Sequence, residues 1–493
     1  MTTLSVLVPV YNEEHLVAAS LARLRVLEDS PHLEWAEVIV VDDCSRDGTA
    51  PALHDFQRQE EARGSSRLRW TFLRHERNGG KGRAIRTALE RAQGEITVIH
   101  DADLEYHPRD LLRIVRVFVE EDADAVFGSR FAGGEARRAL MFRHELGNRL
   151  LTFLCNLVTN LNLTDMETCY KAVRTPLLRS LPIVSNDFRL EPELTIKLAK
   201  RQARLFEVPI SYSGRTYQEG KKINWKDGFA ALWAILRFAL SDDVYKEDAY
   251  GSHVLGRLGR APRFNAWMAD TIRPFCGQRI LEIGSGVGNL TTRLIPRRAY
   301  VASDINPLYL QTLRALARER PYLTTTFCDV TDVDSFPETA EGYDTVICLN
   351  VIEHVPDDAG ALGNIKRALG PGGRAIVLVP QGQWNFGSLD EVLGHQRRYS
   401  KESLLRLAEA CGLHVAQMLE FNRLGTLAWL LNGRLLRRRR FGLVQIALLN
   451  LLTPVLRRVD RFLPLPSLSL IAVMEAKTAS AAGTAAAPVA AAS

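Results

Sequence analysis

The sequence predicts an α/β protein built from two successive units, each a mostly parallel sheet flanked by helices. Three observations predict it. The chain has 493 residues, more than one hydrophobic core accommodates. Strand-like apolar runs alternate with helical patterns in two separate series. Between the series lies a polar, glycine-containing stretch, "SDDVYKEDAYGSHVLGRLGRAPRFN".

In the first series the expected strands are Leu4–Val10, Glu37–Asp42, Arg69–Leu73, Glu95–His100 and Ala123–Gly128. Expected helices include Lys81–Ala92 and Arg109–Glu120. In the second series the expected strands are Arg279–Ile283, Tyr300–Asp304, Thr324–Asp329, Asp344–Leu349, Arg374–Val379, His414–Leu419 and Leu468–Met474. The boundaries that follow are a unit over 1–241, a linker over 242–262, a unit over 263–477, and a small-residue tail over 478–493 expected to be disordered. Residues 424–466 form an insert between the last two strands, much longer than an ordinary connection.

Composition narrows the function. Charged residues make up 24% and hydrophobic residues 46%, an ordinary globular mix. The net charge of +6 suits a phosphorylated substrate or an anionic membrane surface and does not call for nucleic acid. Seven cysteines without a C-x-x-C pair predict a reducing cytoplasmic setting, no disulfides and no structural zinc. The first strand begins almost at the N-terminus, so no signal peptide is expected. The longest uncharged run, Phe441 to Leu456, is too short to span a membrane.

Ligands of parallel sheets bind beyond the carboxyl ends of the strands. "VPVYNEE", "VVDDCSRDGT" and "HDADLE" stand at three such ends. Asp101, Asp103 and Glu105 repel one another unless a cation or ionised partners compensate them. A hard divalent cation takes oxygen ligands and neutralises the charge of a departing diphosphate. Asp103 is the expected direct ligand and Glu105, two residues on, supplies a second oxygen. Asp101 would hold the sugar or the water shell of the metal.

Residues 1 to about 240 resemble a family 2 glycosyltransferase of the GT-A fold, near the dolichyl-phosphate mannose synthase branch. The ordered motifs that carry this are "VPVYNE", "VVDDCSRDGT", "NGGKGRAIRTAL", "DADLEYHP", "GSRF", "DMETCYKA", "EVPISY" and "GRTYQEGKKINWKDG". The resemblance implies a nucleotide-sugar donor, with Pro9, Tyr11, Glu13, Val41 and Asp43 around the nucleoside. It places Asp101, Ala102, Asp103 and Glu105 at the sugar and a Mg²⁺ or Mn²⁺ ion, and Arg130, Arg215 and Lys221 at phosphates. Archaeal-type relatives carry Gln where this chain has Glu105. The chain lacks the Q/R-x-x-R-W element of processive synthases, which favours a polyprenyl-phosphate acceptor and inversion; a glycan acceptor is the alternative. A hydroxyl acceptor needs a base, whereas a phosphate monoester is already largely ionised. In "FRLEPEL", Glu191 or Glu193 stands where such a base would reside, and Glu193 is taken as the catalytic candidate.

The second series opens with "RILEIGSGVGNLT", a strand followed by Gly284, Gly286 and Gly288. Asp304 ends the next strand, where a ribose carboxylate is needed. Asp329 ends the third, and "LNVIEHV" follows the fourth. Residues 260 to 477 resemble a class I S-adenosylmethionine-dependent methyltransferase, a Rossmann-like seven-stranded fold whose last strand runs antiparallel to the rest. That implies S-adenosylmethionine as cofactor, held by Glu282, Gly284, Gly286, Gly288, Asp304, Asp329 and Asn350. His354 and His395 are the acceptor-side candidates, and "GHQRRYS" could recognise an anion. The combined expectation is a bifunctional transferase; the alternatives are a glycosyltransferase of a soluble or cell-surface glycan with O-methyl capping, and a second unit that binds cofactor without turnover. Within the insert, apolar stretches carrying Trp429, Phe441 and Phe462 alternate with Arg437–Arg440, Arg457–Arg458 and Arg461. This pattern predicts either a peripheral contact with an anionic membrane or a helical lid.

Overall fold

The first strand, "TTLSVLVPV", is apolar on both faces because it lies between two others with helices above and below. In the computed structural model, residues 1–133, 138, 142–214, 225–241, 244, 261–438 and 443–476 are described. The chain divides into two compact units, Met1–Lys246 and Glu247–Ser493. Most of the expected linker and the whole expected tail lie outside the described residues.

The first unit holds a seven-stranded sheet. In chain order the strands are β1 (Thr2–Val10), β2 (Leu33–Asp42), β3 (Leu68–Arg74), β4 (Ile96–Ile99), β5 (Ala125–Ser129), β6 (Lys171–Arg174) and β7 (Leu205–Pro209). Their order in space is β3-β2-β1-β4-β6-β5-β7. β1 pairs in parallel with β2 and with β4. β6 runs antiparallel between β4 and β5. Chain order reverses direction across β1, so the carboxyl ends of β2, β1 and β4 open onto one crevice. Helices α1 (Val17–Arg23), α2 (Thr49–Arg63), α3 (Lys81–Arg91) and α4 (Arg109–Glu120) cover the sheet. α4 buries Leu111, Ile114, Val115 and Phe118, the spacing of one helical face.

After β5 come α5 (Phe142–Thr159), the short α6 (Thr175–Ser180), α7 (Leu190–Lys200) and α8 (Trp225–Leu240). α7 carries both acidic candidates and is buried along nearly its whole length. Glu193 is fully buried. It accepts from the Val184 and Ser185 amides at 2.9 and 2.8 Å and pairs with the Lys197 ammonium at 2.6 Å. The catalytic expectation for Glu193 is therefore corrected. With no solvent access and three donors, it fastens the preceding loop to the helix.

The second unit holds another seven-stranded sheet: β8 (Arg279–Ile283), β9 (Ala299–Asp304), β10 (Leu323–Phe327), β11 (Tyr343–Leu349), β12 (Leu369–Pro380), β13 (Leu413–Phe421) and β14 (Ser469–Ala476). The order is β10-β9-β8-β11-β12-β14-β13, with β14 antiparallel to both neighbours. Alternation along β8, β11 and β12 divides the core. Leu281, Val346 and Val377 face one side; Ile280, Ile347 and Ile376 face the other. The helices are α9 (Pro262–Ile272), α10 (Thr291–Leu294), α11 (Pro307–Ala317), α12 (Asp358–Ala368), α13 (Ser388–Leu393) and α14 (Lys401–Ala410). α14 starts where the Ser400 hydroxyl accepts from the Ser403 amide.

The insert between β13 and β14 forms α15 (Arg423–Trp429), which runs on as one wider helical turn over Leu430–Leu435, and then α16 (Leu443–Val459). α16 packs on α9, burying Ile446 and Leu456 beside Phe264 and Trp267. Among the described residues no helix is long and apolar enough to cross a membrane.

The Glu193–Lys197 pair yields a stability test. Glu193→Ala leaves a buried ammonium and two amides without their acceptor, a loss of about 3–5 kcal/mol. Denaturant unfolding of the full chain should show the transition of the first unit displaced to lower denaturant and that of the second unchanged.

Candidate active sites

Loops at the carboxyl ends of β1 and β2 are tied to each other by side-chain bonds. The Asn12 amide donates to Ser45 Oγ at 3.0 Å, the Arg46 amide to Asn12 Oδ1 at 2.9 Å, and the Glu13 amide to Thr49 Oγ1 at 2.8 Å. Asn12 takes the left-handed conformation that this tight exit needs. Pro9 and Glu13 are half-buried, Val41 is buried, and Tyr11 is exposed at the rim. Asp43 lies deeper. Its carboxylate accepts from the Gly79 and Gly80 amides, at 2.9 and 2.6 Å, and lies 2.7 Å from His75 Nδ1. It thus anchors the glycine turn that starts α3.

That turn delivers a residue to which the sequence reading assigned no role. Lys81 Nζ lies 3.0 Å from Asp101 Oδ1 and 3.0 Å from Glu191 Oε1. Burial alone would make the ammonium easier to deprotonate; Asp101 and Glu191 reverse this and hold its pKa well above the ordinary value. Burial likewise opposes ionisation of Asp101, and Lys81 outweighs it, keeping that carboxyl below its usual range. Of the two acids in "FRLEPEL", Glu191 is the one at the crevice. Nearby, burial and then Glu191 push Glu167 up to about 8.

Ala102 is buried behind the acidic loop. Asp103 Oδ1 accepts from the Glu105 amide at 3.1 Å, and Glu105 Oε2 accepts from the Tyr212 hydroxyl at 2.8 Å. The Ser213 amide donates to the Glu105 carbonyl, so the acidic loop and the strand leaving β7 are stitched together. Among the described residues Asp101, Asp103 and Glu105 do not close into one three-ligand cluster. Arg130 makes a bidentate pair with fully buried Asp165, at 2.6 and 2.8 Å, and lies over the Tyr212 ring. Its guanidinium is thus shared with a structural carboxylate. Arg215 and Lys221 lie outside the described residues.

In the second unit the three glycines have φ of +72°, +57° and +82°, a conformation costly for other residues. A Cβ on Gly284 would stand 2.5 Å from Val351 Cγ2. The loop is locked to β9 because Asp304 Oδ2 accepts from the Gly286 amide at 2.9 Å. Glu282 is buried and accepts from the Thr291 and Tyr300 hydroxyls at 2.5 and 2.8 Å. Burial raises its pKa, and these two bonds partly restrain the rise. Asp329, two residues beyond β10, accepts from the Thr331 amide and hydroxyl through Oδ1. Asn350 is left-handed and exposed at the end of β11. The carboxyl ends of β8, β9, β10 and β11 thus bring all seven expected cofactor residues to one edge of the sheet.

His354 and His395 meet, with ring centroids 4.8 Å apart. The Gln396 amide donates to the Glu353 carbonyl, its side chain donates to the His354 carbonyl, and Arg397 donates to the carbonyls of Val355 and Pro356. Through these bonds "GHQRRYS" serves as a clamp on the loop after β11. Arg397 and Arg398 are both spent, on Asp358 and Asp390 respectively. Trp429 is turned inward: its Nε1 donates to Asp390 Oδ2 at 2.9 Å, and Arg398 lies over its ring. The expectation of Trp429 at a membrane surface is corrected accordingly. Its indole N–H found a buried carboxylate, which ties the start of the insert to Asp390. Phe441 lies outside the described residues.

Residues 5–181 match the family model for glycosyl transferase family 2, and residues 281–375 match one for a methyltransferase domain. The UDP-N-acetylglucosamine–dolichyl-phosphate N-acetylglucosaminyltransferase of Methanococcus voltae is 24% identical over 240 residues, 47% of this chain and 93% of that protein. Glycosyltransferase AglJ of Haloferax volcanii is 27% identical over 212 residues, 43% of this chain and 63% of its own length. Among solved structures, glucosyl-3-phosphoglycerate synthase from Mycobacterium tuberculosis, crystallised with Mn²⁺, UDP and phosphoglyceric acid, is 20% identical. It aligns with a TM-score of 0.38 over 48% of this chain and 79% of that one. The chain is a transferase that joins an N-terminal family 2 glycosyltransferase domain to a C-terminal methyltransferase domain.

Proposed function

We propose that the first unit transfers a sugar, with inversion, from a nucleotide-sugar to a polyprenyl phosphate, and that the second methylates a related product. The observation that carries the acceptor class is the state of the carboxylates. Glu193 is consumed by Lys197 and two amides, Asp101 and Oε1 of Glu191 pair with Lys81 while Oε2 of Glu191 is buried without a partner, and burial pushes Glu167 up to about 8. A hydroxyl acceptor would need one of them as a free base; a phosphate monoester needs none. An exposed apolar face agrees with a lipid. Leu146, Leu150, Phe153 and Leu157 of α5 and Trp233, Leu236 and Leu240 of α8 are all open to solvent, on helices that pack together.

Asp103 and Glu105 offer the hard oxygen donors that suit Mg²⁺ or Mn²⁺, and when bound such an ion supplies charge neutralisation at the diphosphate. The other parts are the chain's own. Lys81 fixes Asp101 toward the sugar position, Asp43 sets the glycine turn, and Tyr212 holds Glu105 in place. In the second unit the left-handed glycines leave room for S-adenosylmethionine, which supplies the methyl group when bound. Glu282 and Asp304 would take its ammonium and its ribose hydroxyls. The insert would rest on an anionic membrane surface. Leu448, Leu451 and Val455 are exposed on α16, and Arg263, Arg457, Arg458 and Arg461 line a cleft of about 730 Å³ beside it.

Three outcomes test these assignments. Asp103→Asn should lower sugar transfer to polyprenyl phosphate by roughly a hundredfold or more. Chelation should do the same to the wild type, and calorimetry should find S-adenosylmethionine binding unchanged. For Glu282 the ionised form binds the ammonium, so cofactor affinity should fall as pH drops through its raised pKa. Tyr300→Phe removes one donor to the charged form, worth about 1.5–3 kcal/mol. The acid limb of the affinity profile should therefore move to higher pH, by roughly one to two units. Finally, sedimentation with anionic vesicles should weaken with salt and with Arg458→Gln/Arg461→Gln, while turnover of a soluble acceptor analogue stays the same.

A further inference from the structure

Glu353 is the least explained charged group of the second unit. Its side chain is completely buried, and neither carboxylate oxygen has a hydrogen-bond partner. A buried carboxylate left so is costly, and in native proteins such groups are paired or coordinate metals. The nearest basic atom is Nε2 of His395, 4.0 Å from Oε1, too far for a hydrogen bond. One donor atom from each of Glu353, His354 and His395 lies within 4.8 Å of the other two.

The orientation of His395 is set from behind. Its Nδ1 lies 2.8 Å from Asp390 Oδ1. Asp390 is fully buried and takes further bonds from Arg398 Nε at 2.8 Å, Trp429 Nε1 at 2.9 Å and the Gly387 amide at 3.0 Å. Arg398 neutralises Asp390, so the carboxylate has every reason to accept the Nδ1 proton and none to share it. That leaves the Nε2 lone pair facing Glu353. A carboxylate behind a histidine, fixing its tautomer and aiming the opposite nitrogen, is the outer shell of a histidine metal ligand. On the other side, His354 is placed by backbone groups of Asn350, Leu393 and Gly394.

We propose that Glu353, His354 and His395 hold a divalent first-row transition-metal ion, with Asp390 as the positioning residue. Two imidazoles and one carboxylate suit Zn²⁺, Mn²⁺ or Co²⁺ rather than Mg²⁺ or Ca²⁺, which prefer oxygen alone. Bonds of about 2.0–2.2 Å require the three atoms to draw together by roughly an ångström, a side-chain adjustment. Three protein ligands leave coordination positions open. The cluster follows β11, at the same sheet edge as the glycine loop after β8. Resting on the methyltransferase reading, the ligand class that completes the site is a methyl acceptor presenting a hydroxyl oxygen.

The test uses the full chain in the Asp103→Asn background, which removes the metal expected at the first site. Chelator-stripped protein is titrated with Co²⁺, followed by visible d–d absorption, and with Zn²⁺, followed by calorimetry. S-adenosylmethionine affinity is measured on the same samples. One equivalent should bind, with histidine-type Co²⁺ bands. Glu353→Gln and His395→Gln should weaken binding by roughly a hundredfold or more, and Asp390→Asn by about 10–100-fold. Cofactor affinity should stay within a fewfold throughout. Absence of Co²⁺ and Zn²⁺ binding in the parent protein overturns the site, as does undiminished binding in Glu353→Gln. Should the buried variants fail to fold, His354→Gln decides, because that ring is only half-buried: unchanged bands there also overturn it. Metal binding without cofactor binding would uphold the metal site while refuting the methyltransferase reading.

Discussion

The first crevice depends on one buried ammonium. Lys81 sits between Asp101 and Glu191, and without it two carboxylates would face each other in a poorly solvated space. Lys81 is placed by the glycine turn that precedes it. Asp43 gathers the amides of Gly79 and Gly80, and Gly82 then packs so close to the Ser185 carbonyl that a Cβ would stand 2.1 Å from it. The start of α3, the end of β4 and the start of α7 are thereby held at a single point.

The second unit solves a similar problem differently. Asp390 plays the part of Lys81 with the sign reversed: one buried anion collects Arg398, His395, Trp429 and an amide from four places in the chain. The insert is tied in through Trp429, and the loop after β11 through the bonds that Gln396 and Arg397 make to its carbonyls. Glu353 alone stands outside this exchange of charge, which is why burial pushes it up to about 8. The His354 ring, desolvated and next to His395, is moved the other way, to about 4.

Much of this was legible in the sequence where signals are local. Alternating strands and helices, acidic strand ends and the "LEIGSG" turn each occupy fewer than a dozen residues, and their geometry follows from backbone rules. The antiparallel β14 was expected from the resemblance, and it lies between β12 and β13. Pairings across long separations were not legible. Lys81 meets Glu191 from 110 residues away, and no pattern in "NGGKGR" or "LEPEL" says so. Glu191 and Glu193 look equivalent on paper; two residues of helix rotate one toward Lys81 and the other toward Lys197. β6 and β7 were missed because "KAVR" and "LFEVP", four and five residues, carry too little periodicity to stand out. Trp429 read as an interfacial aromatic because its partner, Asp390, is a tertiary neighbour.

The antiparallel pairing of β13 with β14 has a topological consequence. Phe421 and Ser469 face each other across the ladder, so both ends of the insert emerge from one register position. Whatever chain lies between them is topologically a hairpin loop, and closing a longer or shorter loop changes the free energy only slowly with length. The insert can therefore change without altering the order of the sheet, provided something still reaches Asp390 and still covers Phe264 and Trp267 as Ile446 and Leu456 do.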